Sequence, residues 1–448
     1  MIYHFLKQII KIAIYIYFKK VVVTGKENIP DKGPLIIVGN HPNTFMDALI
    51  IIAITRQRIG FVGNASIFIN KIVNSIFRYF HVIPIYRKKD VLPGEKPDNK
   101  KTFVKCHDYL GKQGTLLIFP EGNSYYELKL RKIKTGTARI ALSFEELHNF
   151  EGKLKILPIA LDYSDSIQFR SIISVTVNPP FNVSNYKQAY LNNEFDGVLA
   201  LTENIRKELA KHIPHTSDKN QEEFLVKAHK FYATYYEPMT HLYLNAKQSL
   251  ELRSQLSKAL NYMYEHHTKL YQDTENDVFL FFKILKEEDL SPGFITERFL
   301  QKNMVLVCLS YFLKFLILLP LYVFGLLINF VPYILPAKIF EALKIDIEYK
   351  TPVEMTVGLI TFPLIYILEI WLFRNYISTE FWYSLLLLLA FPLTGYIAMY
   401  YYTELKRFTR AGHFYFFMDS RKKIKLFKLR DKILNNIEEY RKKLNNHK

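Results

Sequence analysis

Short apolar runs alternate with amphipathic stretches along the first 200 residues of the chain. The apolar runs predict strands at 34–38, 59–62, 82–86, 116–119, 155–162 and 174–177. The stretches between them predict helices at 45–55, 69–80, 102–110 and 135–144. Continuous apolar strands separated by helices are typical of a sheet that is covered on both faces. We therefore predict an α/β domain over 21–195, with a mixed sheet covered by helices.

Residues 196–303 have a different pattern, since they are polar, helical in periodicity and rich in charges of both signs. This pattern predicts a solvent-facing helical bundle or hairpin. Within it, Glu265, His266 and His267 lie on a helical stretch without a third ligand at a useful spacing. We predict no metal site there.

Three long apolar blocks follow at 304–336, 355–373 and 381–402. A helix needs about 20 apolar residues to cross a bilayer, and the last two blocks meet that length. Aromatic residues such as Trp371 and Trp382 stand near the block ends, as they do at membrane interfaces. We predict a membrane domain over 304–403, in which 355–373 and 381–402 are transmembrane helices, rather than a set of buried globular helices.

The first block is long for one span and short for two, and Pro320 and Pro332 interrupt it. We predict that 304–336 forms a hairpin or re-entrant element that enters and leaves on one face. The number of crossings is then even, and both basic ends of the protein face the cytoplasm, where positive residues concentrate.

The N-terminal segment 1–20 is apolar but interrupted by Lys7 and Lys11, and no small-residue cleavage site follows it. The uninterrupted run 12–18 is too short to span a membrane. We predict an interfacial helix rather than a signal peptide.

Composition and charge narrow the class of protein. The 448 residues are 49% hydrophobic and carry a net charge of +18, which argues against global disorder. The segment 404–448 has 14 basic residues against 5 acidic ones. It is either a solvated helix with a basic face or a cytoplasmic tail on anionic lipid, and its place after a membrane segment favours lipid over nucleic acid. Two cysteines provide no disulfide framework and no thiolate metal site.

The first candidate for chemistry follows the strand at 34–38. His41 and Asp47 could form a pair in which the carboxylate accepts the Nδ1 proton and leaves Nε2 to act as a base. The alternative is a loop histidine with a helix-capping aspartate.

Polar residues follow two other predicted strands. Glu121, Gly122, Asn123 and Ser124 follow the strand at 116–119, and Arg87 follows the strand at 82–86. Arginine grips phosphate in bidentate fashion, and Lys132 and Lys134 add further positive charge. Ligands bind beyond the carboxyl ends of strands in open α/β sheets. We therefore predict an anion-binding site at this edge.

Four blocks together resemble the glycerolipid acyltransferase family, which includes glycerol-3-phosphate and 1-acylglycerol-3-phosphate acyltransferases. They are Asn40-His41 with Asp47, the segment 83–87, Phe119-Pro120-Glu121-Gly122 and the segment 156–160. The resemblance covers about residues 20–185. It implies that His41 is the general base with Asp47 as its partner, and that Arg87, Glu121 and Gly122 lie in the glycerophosphate site.

The sequence departs from the family pattern in two places. Five residues separate His41 from Asp47, where the family usually has four, and a bulge or a tighter first helical turn could absorb the extra one. Five also occur in eukaryotic members that act on glycerol-3-phosphate and dihydroxyacetone phosphate. The family often has Thr-Arg-Ser after the glycine, where this chain has 123–125, so the arginine role could pass to Arg131, Lys132 or Lys134.

The resemblance implies a membrane-bound acyltransferase of phospholipid biosynthesis. It would move a fatty acyl group from acyl-CoA or acyl carrier protein to a hydroxyl of glycerol-3-phosphate or 1-acylglycerol-3-phosphate. Membrane lipid, the acceptor and the thioester donor are the expected partners, with no nucleic acid, no metal and no cofactor. Acylation of dihydroxyacetone phosphate or another lysophospholipid stays open, as does a non-catalytic lipid-binding protein.

Overall fold

A computed structural model of the chain describes residues 2–67, 71–86, 98–214, 216, 218–240, 246–295 and 304–446. Two compact units make up the chain. The first unit consists of Met1–His215 and Asp346–Pro352, and the second of Thr216–Ile345 and Val353–Lys448. The first unit therefore extends beyond the predicted boundary at 195 and includes a short segment that is remote in sequence.

A mixed sheet of eight strands forms the centre of the first unit. The strands are β1 Lys20–Thr24, β2 Leu35–Gly39, β3 Ile59–Asn64, β4 Val82–Ile85, β5 Thr115–Ile118, β6 Lys155–Tyr163, β7 Ile172–Val177 and β8 Phe181–Asn182. Their order is β1-β7-β6-β2-β5-β3-β4, with β8 paired to β6. Only the pairings of β6 with β7 and with β8 are antiparallel. The predicted mixed sheet is confirmed.

The described residues of this unit form seven helices: α1 Ile2–Tyr17, α2 Thr44–Ile54, α3 Lys71–Tyr79, α4 Lys100–Gly111, α5 Gly136–Leu147, α6 Lys187–Asn192 and α7 Glu194–Ala210. Alternate strand residues such as Ile36 and Leu116 share a core with buried residues of α4, α5 and α7. Their sequence neighbours Leu35 and Leu117 point to the opposite face, because side chains alternate along a strand. They are also buried, so both faces of the sheet are covered. The unit reaches past residue 195 because the apolar face of α7 completes this core.

The three central strands β2, β5 and β6 end at the same edge of the sheet. Val38 of β2 pairs with Ile118 of β5 on one side and with Pro158 of β6 on the other, and all three strands run parallel. The loops that follow β2, β5 and β6 therefore emerge side by side. Residues far apart in sequence meet there.

Helix α1 packs against α2 and leaves a row of apolar side chains exposed, namely Ile2, Phe5, Ile12, Tyr15 and Ile16. Lys7 does not belong to that row, since its ammonium group is buried and donates a hydrogen bond to the carbonyl of Thr55 at the end of α2. A cation at a helix C-terminus satisfies an otherwise unpaired carbonyl. One of the two lysines that interrupt the apolar N-terminus thus has a structural role.

The second unit is helical and comprises α8 Lys219–Thr240, α9 Ala246–His266, α10 Thr268–Glu287, α11 Met304–Leu343, α12 Lys350–Tyr376, α13 Phe381–Gly412 and α14 Ser420–Asn446. Buried residues of α8, α9 and α10 share one core with apolar residues of α14, among them Leu426, Ile433 and Tyr440. The basic C-terminal segment is therefore a helix whose apolar face packs on protein. Its charged residues occupy the other face.

Three helical stretches are long and apolar enough to cross a membrane: Cys308–Leu343, Ile347–Tyr376 and Phe381–Phe417. Large apolar side chains remain exposed along them. These stretches are candidate transmembrane helices. Their surfaces indicate membrane association of the protein.

The predicted hairpin within 304–336 is wrong, because α11 is one continuous helix with Pro320, Pro332 and Pro336 inside it. Neighbouring helices can satisfy the backbone groups that proline frees in apolar segments. Here α11 packs closely on α13, where Asn329 donates a hydrogen bond to the carbonyl of Phe391.

Candidate functional site

His41 and Asp47 form the predicted pair at the carboxyl end of β2. Nδ1 of His41 lies 2.9 Å from Oδ2 of Asp47, and the carboxylate is fully buried. Five residues lie between them, among them Thr44, which has a left-handed φ of 39° as the first residue of α2. The five-residue spacing is therefore compatible with the pair.

Asp47 accepts two further hydrogen bonds. The backbone N–H of Asn43 lies 2.8 Å from Oδ2, and the hydroxyl of Tyr163 lies 2.6 Å from Oδ1. Burial, reinforced by the adjacent carboxylate, raises the pKa of Tyr163 well above its ordinary value. Tyr163 consequently remains a donor. The buried carboxylate is satisfied and its geometry fixed.

The imidazole of His41 is held from a second direction by Phe119. The two rings stack with centroids 3.9 Å apart and planes within 3° of each other. Phe119 belongs to the turn after β5, so the strand next to β2 supplies this support. The Nδ1 contact and the stack together define the plane of the imidazole and leave Nε2 as the nitrogen that can exchange a proton.

Glu121 connects the two loops. Its Oε1 accepts the backbone N–H of His41 and its Oε2 accepts that of Arg131, both at 3.0 Å. Burial raises the pKa of Glu121, while these two hydrogen bonds oppose the shift. Because both oxygens are engaged with the backbone, the geometry supports a bracing role. Its predicted contact with glycerophosphate stays a prediction.

Gly122 makes a close approach that requires glycine. It has a φ of 76°, and a Cβ there would lie 2.4 Å from Nζ of Lys134. The exposed lysine ammonium therefore lies directly against the turn. The Gly122 N–H donates to the carbonyl of Phe119 at 3.0 Å, which closes the turn.

The remaining predicted residues of the turn divide by their contacts. The Ser124 hydroxyl accepts the N–H of Thr44 at 2.9 Å, so it joins the turn to the start of α2. Asn123 donates to the hydroxyl of Tyr125 at 3.2 Å. Both lie beside the His41 loop, since the N–H of Tyr125 donates to the carbonyl of His41.

The cationic side chains of the predicted anion site differ in their contacts and exposure. Arg131 forms a bidentate ion pair with Glu127 and lies over the ring of Tyr125. Lys132 and Lys134 are exposed. Arg87 lies outside the described residues, so its predicted contact with phosphate stays a prediction.

Sequence reasoning did not predict the structural roles of three residues of the site. Asn40 makes a two-bond amide pairing with the backbone of Leu161, at 2.7 and 2.8 Å, and so fixes the loop of His41 to β6. Tyr163 and Phe119 were also missed as partners. The position of Tyr163 at the end of a predicted strand was the only available signal. Its pairing with a residue 116 positions away depends on the strand order.

In the parts of the chain that the structure describes, no group of three or more histidine, cysteine, aspartate or glutamate residues could hold a metal ion. The described site contains an oriented imidazole, a buried carboxylate and a lysine ammonium.

Comparisons with known proteins find relatives of part of the chain. The family model described as Acyltransferase matches residues 20–162. The chain is 28% identical over 166 residues to 1-acyl-sn-glycerol-3-phosphate acyltransferase of Borreliella burgdorferi, which is 37% of this chain and 60% of that protein. It is 32% identical over 116 residues to glycerol-3-phosphate O-acyltransferase 2 of Saccharomyces cerevisiae, which is 26% of this chain and 16% of the relative.

A third relative is a 1-acyl-sn-glycerol-3-phosphate acyltransferase of Chlamydomonas reinhardtii, 28% identical over 31% of this chain and 40% of that protein. The chain therefore spans between 16% and 60% of the length of these three relatives. Among solved structures, the acyltransferase PlsC of Thermotoga maritima is 18% identical, with a TM-score of 0.33, over 46% of this chain and 79% of that one.

Removal of the Glu121 carboxylate should destabilise the first unit. Glu121→Ala leaves the N–H groups of His41 and Arg131 without their acceptor, and each buried unsatisfied group costs about 1–3 kcal/mol. Glu127→Ala is the matched control, since it breaks only the partly exposed pair with Arg131, worth about 0–1 kcal/mol. Thermal unfolding of the purified protein measures both. Equal melting temperatures for the two variants would contradict the bracing role.

The matched region begins at the first residue of β1 and ends in β6, so it contains the strands and loops that carry the histidine–aspartate pair and the glutamate turn. Residues 20–162 of the chain match the acyltransferase family model, and the histidine–aspartate pair of the candidate site lies within that match.

Proposed function

We propose that the protein transfers a fatty acyl group from a thioester, acyl-CoA or acyl carrier protein, to a hydroxyl of glycerol-3-phosphate or 1-acylglycerol-3-phosphate. The single observation that carries the proposal is the 2.9 Å contact of His41 with a buried Asp47, beside the glutamate turn. This geometry suits a general base that acts on a hydroxyl group. The names of the relatives support a glycerol phosphate as the acceptor.

The reaction follows from the orientation of the imidazole. Nε2 of His41 takes the proton of the acceptor hydroxyl as its oxygen attacks the thioester carbonyl. Collapse of the tetrahedral intermediate breaks the C–S bond, and the imidazolium returns the proton to the departing thiolate. Asp47 keeps Nδ1 protonated and stabilises the transient positive charge. An activated thioester requires no enzyme nucleophile.

The acceptor phosphate fits best near the turn after β5. Lys134 brings an exposed ammonium group against Gly122, and Asn123 adds an amide. Arg131 is committed to Glu127 and Tyr125, so it is a weaker candidate than Lys134 for this contact. Arg87 follows β4, at the edge of the sheet, and stays a predicted phosphate ligand.

A non-catalytic lipid-binding role is less well supported. A lipid-binding protein does not need an oriented histidine. Here a buried carboxylate that accepts three hydrogen bonds orients His41 at the edge of the sheet. Nucleic-acid binding through the basic helix α14 lacks a base-reading element, and its apolar face is occupied by the helical core.

We propose that the protein is embedded in the membrane, with the catalytic domain and the basic C-terminal segment facing the cytoplasm. The bias of positive residues supports that orientation. Because 304–336 forms no hairpin, an even number of crossings requires that one of the three candidate stretches does not cross the membrane.

Substitution of the base should abolish turnover without unfolding the protein. We expect His41→Ala to reduce kcat by roughly 10²- to 10⁴-fold, the usual contribution of a positioned base. Asp47→Asn should reduce kcat as well. An amide has only one acceptor oxygen, so it cannot accept hydrogen bonds from His41 Nδ1, the Asn43 N–H and the Tyr163 hydroxyl as the carboxylate does. Labelled acyl transfer measures activity, and thermal unfolding checks the fold. Near wild-type turnover of a folded His41→Ala variant would refute the mechanism.

The acceptor can be identified directly. Purified protein in lipid vesicles should acylate glycerol-3-phosphate or 1-acylglycerol-3-phosphate in preference to glycerol, since the phosphate supplies the anionic contact. Lys134→Ala should raise the KM for the phosphorylated acceptor several-fold and leave that for the thioester unchanged. Dihydroxyacetone phosphate and another lysophospholipid complete the panel. A preference for an uncharged acceptor would overturn the assignment of the anion site.

Orientation can be measured with single cysteines in a chain that carries Cys106→Ala and Cys308→Ala. Glu151→Cys reports on the catalytic domain and Lys425→Cys on the C-terminal helix, and both positions are exposed. We expect a membrane-impermeant maleimide to label both residues only after cells are permeabilised. Labelling of residue 425 on intact cells would contradict the proposed cytoplasmic location of the tail.

A further inference from the structure

The segment Asp346–Pro352 lies between two apolar helices in sequence, yet it belongs to the unit that contains His41. It includes one turn of 3₁₀ helix, Ile347–Tyr349, and the first residues of α12. Its contacts reach residues that are 185 to 304 positions away in the chain.

Three hydrogen bonds join this segment to the chain around the site. The hydroxyl of Thr44, the first residue of α2, donates to the carbonyl of Glu348 at 3.1 Å. The N–H of Tyr126, in the loop after β5, donates to Oε1 of Glu348 at 3.3 Å. The buried hydroxyl of Thr351 donates to the carbonyl of Ser166, after β6, at 2.5 Å.

These loops are also joined to one another. The Ser166 carbonyl accepts Asn43 Nδ2 at 2.7 Å as well as the hydroxyl of Thr351. Thr44, which donates to Glu348, has its own N–H on Ser124. The ring of Tyr349 lies 6.3 Å from that of Phe45, the residue after Thr44. The segment therefore bridges the same three loops that meet around the histidine–aspartate pair.

Thr44 is the residue of the site that this segment constrains most directly. Its positive φ is a conformation that a β-branched residue adopts only when its surroundings impose it. Both its N–H and its hydroxyl are engaged, the first by Ser124 and the second by Glu348.

We propose that Glu348 is a positioning residue for acyl transfer, and that the segment Asp346–Pro352 orders the loop of His41 by clamping the ends of β2, β5 and β6. The inference deepens the proposed function and rests on it for its kinetic part. Because the segment is covalently continuous with α11 and α12, the order of the catalytic loop depends on residues anchored by apolar helices.

Hydrogen–deuterium exchange on the full-length protein in lipid nanodiscs tests the clamp without any activity. We expect Glu348→Ala to accelerate exchange about tenfold in the peptide covering 124–128, because the Tyr126 N–H loses its acceptor. The peptide covering 41–47 should follow, because Ser124 and Tyr125 are hydrogen-bonded to Thr44 and His41. Glu348→Gln retains an amide oxygen and should keep most of the protection. Glu341→Ala is the control, since it breaks only the exposed pair with Lys338 on α11.

The kinetic readout separates positioning from binding. Glu348→Ala should lower kcat about tenfold with the KM of the phosphorylated acceptor unchanged, and Glu348→Gln should restore most of kcat. Thr351→Val should lower kcat similarly, whereas Thr351→Ser keeps the hydroxyl and the rate. The Glu341→Ala control should behave as the wild-type protein.

The two failures are distinguishable. Unchanged exchange in Glu348→Ala overturns the clamp whatever the activity. Faster exchange with unchanged kcat overturns the positioning role. If the wild-type protein transfers no acyl group to any acceptor, the proposed function fails, and the exchange of the 41–47 peptide alone decides whether the segment orders the loop.

Discussion

The buried carboxylate of Asp47 is the interaction on which the site depends. A fully buried charge is costly unless it is hydrogen-bonded, and Asp47 meets that requirement with an imidazole, a backbone N–H and a tyrosine hydroxyl. Its three donors come from the loop after β2 and from the end of β6. The same contacts that stabilise the charge therefore fix the imidazole plane relative to the sheet, and the fold cannot form around Asp47 without also orienting His41.

Glu121, in the turn after the neighbouring strand β5, is a second buried carboxylate that fixes the geometry of the site through its hydrogen bonds. Its two oxygens connect the backbone at His41 to the backbone at Arg131, so a second buried carboxylate sets the distance between the loops after β2 and β5. With Asn40 pairing to Leu161, the loop of His41 is attached to both flanking strands. Rigid support of this kind keeps a general base within reach of a substrate hydroxyl.

Much of this arrangement could be predicted from local patterns. The strands of the central sheet are short apolar runs that end at polar turns, so β2, β5 and β6 were located to within a residue or two. The pairing of His41 with Asp47 follows from short-range spacing. Tyr163 and Asn40 act through the strand order, which the sequence pattern does not specify. β1 was missed because Val21–Val23 continues the apolar N-terminus, and the contacts of Glu348 were missed because they join segments some 200 to 300 residues apart.

The membrane-associated half shows where local signals mislead. Prolines at 320 and 332 suggested a reversal, whereas packing of α11 on α13 keeps one continuous helix. The basic C-terminal segment was predicted to lie on anionic lipid. Its apolar residues complete the core of α8, α9 and α10, and contact of its basic face with lipid stays a prediction. In α11 a tertiary contact outweighs the intrinsic preference of the segment.

The stack of His41 on Phe119 has a consequence for the charge that the reaction creates. While the imidazole is neutral, the parallel rings at 3.9 Å contribute packing alone. Once Nε2 takes a proton, the same geometry places a delocalised cation over the negative face of an aromatic ring, which is an attractive arrangement. Phe119 thus interacts more strongly with the protonated histidine than with the neutral one, and in the proposed reaction it would favour the step in which the acceptor loses its proton.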